Sequence, residues 1–177
     1  DIIRLTVPSA EYAETIYKMK NAGIKAPLVA DIHFDYRAAL AAVSAGADKI
    51  RINPGNIGSD EKVRAVADEC RLHGVPIRIG VNGGSLEKHI LAKYGAPTAD
   101  ALCESALYHA SLLRKFDFDD IVISIKSSSP VTMARATEKL AAVCDYPLHI
   151  GVTEAGEGDV ALIKSAAGIG ALIANGI

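Results

Sequence analysis

VADIHFDYRAALAAVSAGADKIRIN, residues 29–53, reads as strand, helix, strand. The outer segments, 27–32 and 48–53, are short and nearly all apolar before they turn polar. Such runs suit strands covered on both faces, because an alternating run would leave one face wet. Between them, 35–45 is Ala-rich and amphipathic and stops at Gly46, a residue that ends helices without steric cost. A helix between two doubly covered strands is the crossover of a parallel βα unit.

The same unit recurs in both directions along the chain. Strand-like runs lie near 2–7, 76–81, 120–126 and 147–152. Helices are expected over 9–22 (Ser9 as N-cap), 60–73 (Ser59 before acidic Asp60 and Glu61), 86–93 (Ser85 as cap), from Pro97 and Thr98 to Lys115, 130–143 (Pro130 in the first turn) and 158–167. No stretch resembles a linker, so one domain over 1–177 is expected. Polar residues at every strand end favour an α/β (β/α)8 TIM barrel over an open sheet, which gathers its ligand residues at one switch point. A complete barrel needs eight strands and roughly 250 residues. Six strands here predict an incomplete barrel lacking its first and last strands, with two open sheet edges.

Composition narrows the functional classes. The 177 residues are 50% hydrophobic, contain no Trp and carry a net charge of −2. There is no global basic field to attract nucleic acid or an anionic membrane surface. No apolar run is long enough to span a bilayer, and no signal peptide is expected at the start. The cysteines, Cys70, Cys103 and Cys144, are scattered and form no CxxC pair, which fits a reducing compartment and predicts no metal site among them.

Chemistry concentrates at the strand ends. Arg4, Arg51, Arg78 and Lys126 each place a cation in or at the end of an apolar strand. A buried charge needs a partner, and four such cations suggest a shared polyanion such as a diphosphate. Period two puts Arg51 and Asn53 on one side of their strand, and Arg78 reaches the same side as Asn82. Asp31 and His33 also share a side, so Asp31 orients the imidazole or both bond a hydroxyl. Lys126 is followed by Ser127, Ser128 and Ser129, which offer hydroxyls or a helix cap. Thr153 and Glu154 close the last strand, where Glu154 is a proton donor or organises the cations. The blander alternatives are rim salt bridges for each Arg and a solvated His33. A GxGxxA pattern at 156–161 formally matches a dinucleotide fingerprint. Glu154, Glu157 and Asp159 would repel a pyrophosphate there, and no second βα unit follows.

In order, VADIHFDYRAALAAVSAGADKIRINPGNIG, RIGVNGGSLE, DDIVISIKSS, PLHIGVTEAG and GIGALIANGI resemble the barrel domain of the 4-hydroxy-3-methylbut-2-enyl diphosphate synthase family across essentially the whole chain. The resemblance implies reductive opening of 2-C-methyl-D-erythritol 2,4-cyclodiphosphate, with loss of water, on the methylerythritol phosphate route to isoprenoids. It implies a cytoplasmic bacterial homodimer fed by ferredoxin or flavodoxin. It also implies a [4Fe-4S] cluster held on a separate C-terminal domain by three cysteines and a glutamate.

Carried over by motif, Arg4, Arg51, Arg78 and Lys126 bind the diphosphate, Asn53 and Asn82 add hydrogen bonds, and Asp31, His33, Thr153 and Glu154 line the pocket near the hydroxyls. Asp31, His33 and Glu154 are the candidates for proton chemistry. The cluster ligands are not in this chain, and Cys70, Cys103 and Cys144 do not replace them. The expectation is therefore a substrate-binding part that binds no cluster and does not turn over alone. Two other classes remain open, a dihydropteroate-synthase-like barrel and a non-catalytic barrel fragment. Few aromatics are present to stack a pterin.

Overall fold

The computed structural model describes residues 1–177. Five strands, β1 (Ile3–Thr6), β2 (Leu28–Asp31), β3 (Lys49–Ile52), β4 (Ile77–Asn82) and β5 (Ile121–Lys126), form one sheet in chain order. The β1–β2, β2–β3 and β3–β4 pairings are all parallel. The helices are α1 (Glu14–Asn21), α2 (Tyr36–Ser44), α3 (Pro54–Ile57), α4 (Asp60–His73), α5 (Lys88–Tyr94), α6 (Ala99–Arg114), α7 (Pro130–Ala141) and α8 (Gly158–Ala174). The alternation expected of a TIM-barrel type α/β protein is present. The chain gathers into two compact units, Asp1–Ile79 with His109–Ile121, and Gly80–Tyr108 with Val122–Ile177.

In the first unit the continuous apolar runs behave as expected. Every residue of β2 is buried, and Ile50, Ile52, Ile77 and Ile79 are fully buried. Ala38, Ala39 and Ala42 give α2 a thin, fully buried face, so the helix lies close to its neighbours. Asp35 caps α2 by accepting the Arg37 N–H at 3.0 Å. Gly74 ends α4 in the left-handed region at φ 65°, open to glycine without Cβ strain. β1 departs from the expectation: it alternates, with Arg4 and Thr6 exposed. Only β2 pairs with β1, so β1 is an edge strand with one side of its backbone unpaired in the sheet.

The second unit holds the other departures. Residues 147–152 form no strand of their own. They touch β5 through a bridge between Ile123 and Leu148, and Thr153 N–H donates to Ser127 O at 3.0 Å. No strand lies on their other side to fix the segment as a ladder. Ser85 lies in a short 3-10 turn and does not cap α5, whose N-cap is Glu87. Helix α8 runs past the expected end at 167 to Ala174, because Gly168 is buried in packing and not in a turn. A Cβ at Gly168 would lie 2.7 Å from Val152 Cγ2 and 2.9 Å from Met133 Cε. Met133, Ala134 and Leu172 form the core where α7 meets α8.

Candidate functional site

Four strands of the first unit deliver one row of polar side chains. Thr6 is in register with Asp31, Asp31 with Arg51, and Arg51 with Arg78. Register partners in a parallel sheet stand side by side about 4.8 Å apart and point to the same face. Arg4, two residues before Thr6, shares that face. Thr6 is the member that reading by charge missed; the same period-two count that paired Arg51 with Asn53 would have found it.

This row is buried at its centre. Asp31, Arg51, Asn53 and Arg78 are 7%, 6%, 4% and 5% exposed. Arg51 Nη1 donates to Asp31 Oδ1 at 2.9 Å, and Arg4 Nε lies 3.5 Å from Asp31 Oδ2. One carboxylate therefore serves two guanidiniums, and the third, Arg78, makes no ion pair or hydrogen bond. Three positive charges against one negative leave the group at +2. Burial, and then the Arg4 and Arg51 charges, push the Arg78 guanidinium down to about 10, while Asp31 pulls the other way. A buried, uncompensated cation among like charges is costly unless an anion joins it.

Asp31 therefore does not hold His33. Its partners are the two arginines, and the His33 ring, exposed, lies 6.3 Å from that of Phe34, itself 71% exposed. His33 lies past the end of β2, in a bend, so the alternation of the strand does not govern where its ring points. Asn53 follows β3 and caps α3, its Oδ1 accepting Gly55 N–H at 3.1 Å, so it is fixed in place beside the row.

The remaining candidates lie in the second unit. Asn82 ends β4 exposed, with Oδ1 accepting Gly84 N–H at 3.1 Å. Lys126 closes β5, half-buried. Among the serines after it, Ser129 caps α7 through Thr132 N–H at 3.3 Å and Ser127 Oγ accepts Ser129 N–H at 3.2 Å. Thr153 is half-buried, and Glu154 is exposed in the left-handed region at φ 55°, unusual for a residue with a Cβ.

The cysteines do not fit an iron–sulfur cluster. No three His, Cys, Asp or Glu side chains gather where they could hold a metal. Cys70 is fully buried, and burial pushes its thiol up to about 12; burial raises Cys103 as well. A cluster ligand must be a thiolate, which these surroundings disfavour. No helix is long and apolar enough to cross a membrane.

Parallel βα units with charged side chains converging at the strand ends define an α/β domain of the TIM-barrel class. The chain belongs to the GcpE TIM-barrel domain family, whose model matches residues 1–177. Among curated relatives it is similar to the 4-hydroxy-3-methylbut-2-en-1-yl diphosphate synthase (flavodoxin) of Fusobacterium nucleatum, 55% identical over 176 residues, covering 99% of this chain and 49% of that protein. The protein of the same name from Symbiobacterium thermophilum is 56% identical over 177 residues, covering 100% of this chain and 48% of its own length. The chain thus spans about half the length of these relatives. A solved structure of 3-hexulose-6-phosphate synthase superposes with a TM-score of 0.52 at 16% identity, over 97% of this chain and 87% of that one. At that identity the likeness shows the fold alone.

Proposed function

We propose that this chain is the substrate-binding barrel, a single partial domain, of an oxidoreductase that opens 2-C-methyl-D-erythritol 2,4-cyclodiphosphate to 4-hydroxy-3-methylbut-2-enyl diphosphate. The reaction takes up two electrons and two protons and releases one water. The names of relatives above 50% identity support the reading. Arg78, buried without an anion beside Arg51, carries it. A group at +2 matches a substrate whose two phosphates carry one negative charge each. Arg78, Arg51 and Arg4 grip the diphosphate, with Asn53 adding a hydrogen bond; Asn82, Lys126 and Thr153 are the second unit's own candidates for substrate binding. His33 and Glu154 are the candidates for the protonations. Such a site works by placing the ring and steadying developing phosphate charge in a water-poor setting.

In the same proposal the [4Fe-4S] ligands lie outside these residues, flavodoxin (or ferredoxin) supplies the electrons, the protein is a homodimer of the bacterial cytoplasm, and the 177 residues alone do not turn over. The test is calorimetric titration of the cyclodiphosphate into the full protein carrying this chain and into its Arg78→Met variant. Binding that falls by a factor of about thirty or more in the variant supports the reading. Equal affinity, or none in either, overturns it and leaves a non-catalytic barrel or another ligand.

A further inference from the structure

Asp31 is the sole carboxylate among the side chains of the row, and it sits in its middle. It is 7% exposed, in register with Arg51, bonded to Arg51 at 2.9 Å and within 3.5 Å of Arg4. Both oxygens are directed at cations. The carboxylate does two things. It fixes Arg51 and Arg4 in position, and it cancels one of three charges within hydrogen-bond range. Arg78, on the far side of Arg51, is left as the guanidinium that an incoming anion must satisfy.

We propose that Asp31 is a positioning and specificity-determining residue: by holding Arg51 and Arg4 it sets the charge of the strand-end site at +2 and so tunes it to a dianion over more highly charged phosphates. The proposal deepens the function above, resting on its placement of an anion at this row. Without Asp31 the site rises to +3 and Arg51 seeks its acceptor in the ligand. Binding of a highly charged anion then tightens most, and the released diphosphate product is held longer.

The experiment uses inorganic pyrophosphate and tripolyphosphate, titrated at several salt concentrations into the full protein and its Asp31→Asn, Arg51→Gln and double variants. Asp31→Asn is expected to bind tripolyphosphate about tenfold tighter or more, with a smaller gain for pyrophosphate and a steeper salt dependence. Arg51→Gln is expected to weaken both probes. The double variant, whose two changes cancel in charge, is expected to regain the wild-type salt dependence.

Asp31→Asn leaves a buried Arg51 short of its acceptor and could fail to fold. The comparison of Arg51→Gln with the double variant then reads the same added charge. In turnover assays the Asp31→Asn pH profile of kcat is expected to keep both limbs. Unchanged probe affinities in Asp31→Asn, a lost limb of that profile, or a wild type that binds neither probe overturns the proposal. A wild type that binds both probes with this pattern but not the cyclodiphosphate overturns the functional reading alone.

Discussion

Arg51 and Arg78 are register partners on β3 and β4, both about one-twentieth exposed, yet only Arg51 has an acceptor. The asymmetry separates holding the site together from binding a ligand. Arg51 is bonded to Asp31 in the resting molecule, whereas Arg78 lacks any ionic partner and so gains most when an anion arrives.

Arg78→Met is expected to lower cyclodiphosphate affinity by about 2–5 kcal/mol. The same change is expected to leave the unliganded protein as stable as before, or more stable by about 1–2 kcal/mol, because a buried uncompensated charge disappears. Calorimetry reads the first and thermal unfolding the second. The pH dependence has a defined sign. Arg78 holds its proton less tightly in the folded state, down to about 10. Its destabilising effect is thus fully present below that value, and is relieved only as pH climbs from there toward the ordinary guanidinium range.

Cys70 is expected to resist alkylation in the native protein at pH 8, since its thiol is pushed up to about 12 by burial. Cys144, half-buried in the loop after α7, should label first. Mass spectrometry after a timed iodoacetamide pulse distinguishes them, and rapid labelling of Cys70 would contradict its burial. Because the folded value lies above the unfolded thiol's 9.0, stability should fall as pH rises from there through about 12.

Gly168→Ala is expected to cost about 1–3 kcal/mol, since its methyl group would sit 2.7 Å from Val152 Cγ2. Met133 Cε, at 2.9 Å, is the tip of a flexible chain and moves aside cheaply; the valine does not. Denaturant unfolding measures it. Gly170→Ala, where no atom lies within 4 Å of the added methyl, is the control.

Asp35→Ala removes the α2 cap and is expected to cost about 1 kcal/mol while leaving cyclodiphosphate affinity unchanged. Asp35 bonds Arg37, and that side-chain bond is the main reason its carboxyl is held below the ordinary value. Its contribution is therefore present above the usual carboxylate range and is lost as pH falls through the lowered value. Chemical unfolding at pH 7 and at pH 3 should show the wild-type advantage shrinking in acid.

Much of the architecture was legible residue by residue. The doubly apolar runs gave β2, β3, β4 and β5 to within about a residue or two at each end, as boundaries of this kind allow. Capping and stop residues placed α4 at 60–73. The 147–152 segment was not legible, because an apolar run signals burial but not whether a neighbour completes the ladder. Nor did Ser85 signal its own role: the hydroxyl reaches back to Asn82 O at 3.3 Å, and the N-cap of α5 is Glu87.

By itself the sequence determined which residues could share a face, because side-chain alternation is a property of one strand: Arg4 with Thr6, Arg51 with Asn53, Asp31 with His33. It also determined that cations would stand at strand ends. Only the tertiary structure decided who pairs with whom. Pairing across strands depends on register, which brings residues twenty positions apart to within hydrogen-bond distance. Thus Asp31 met Arg51 and Arg4 and not His33, and Arg78 was left as the buried cation without an anion.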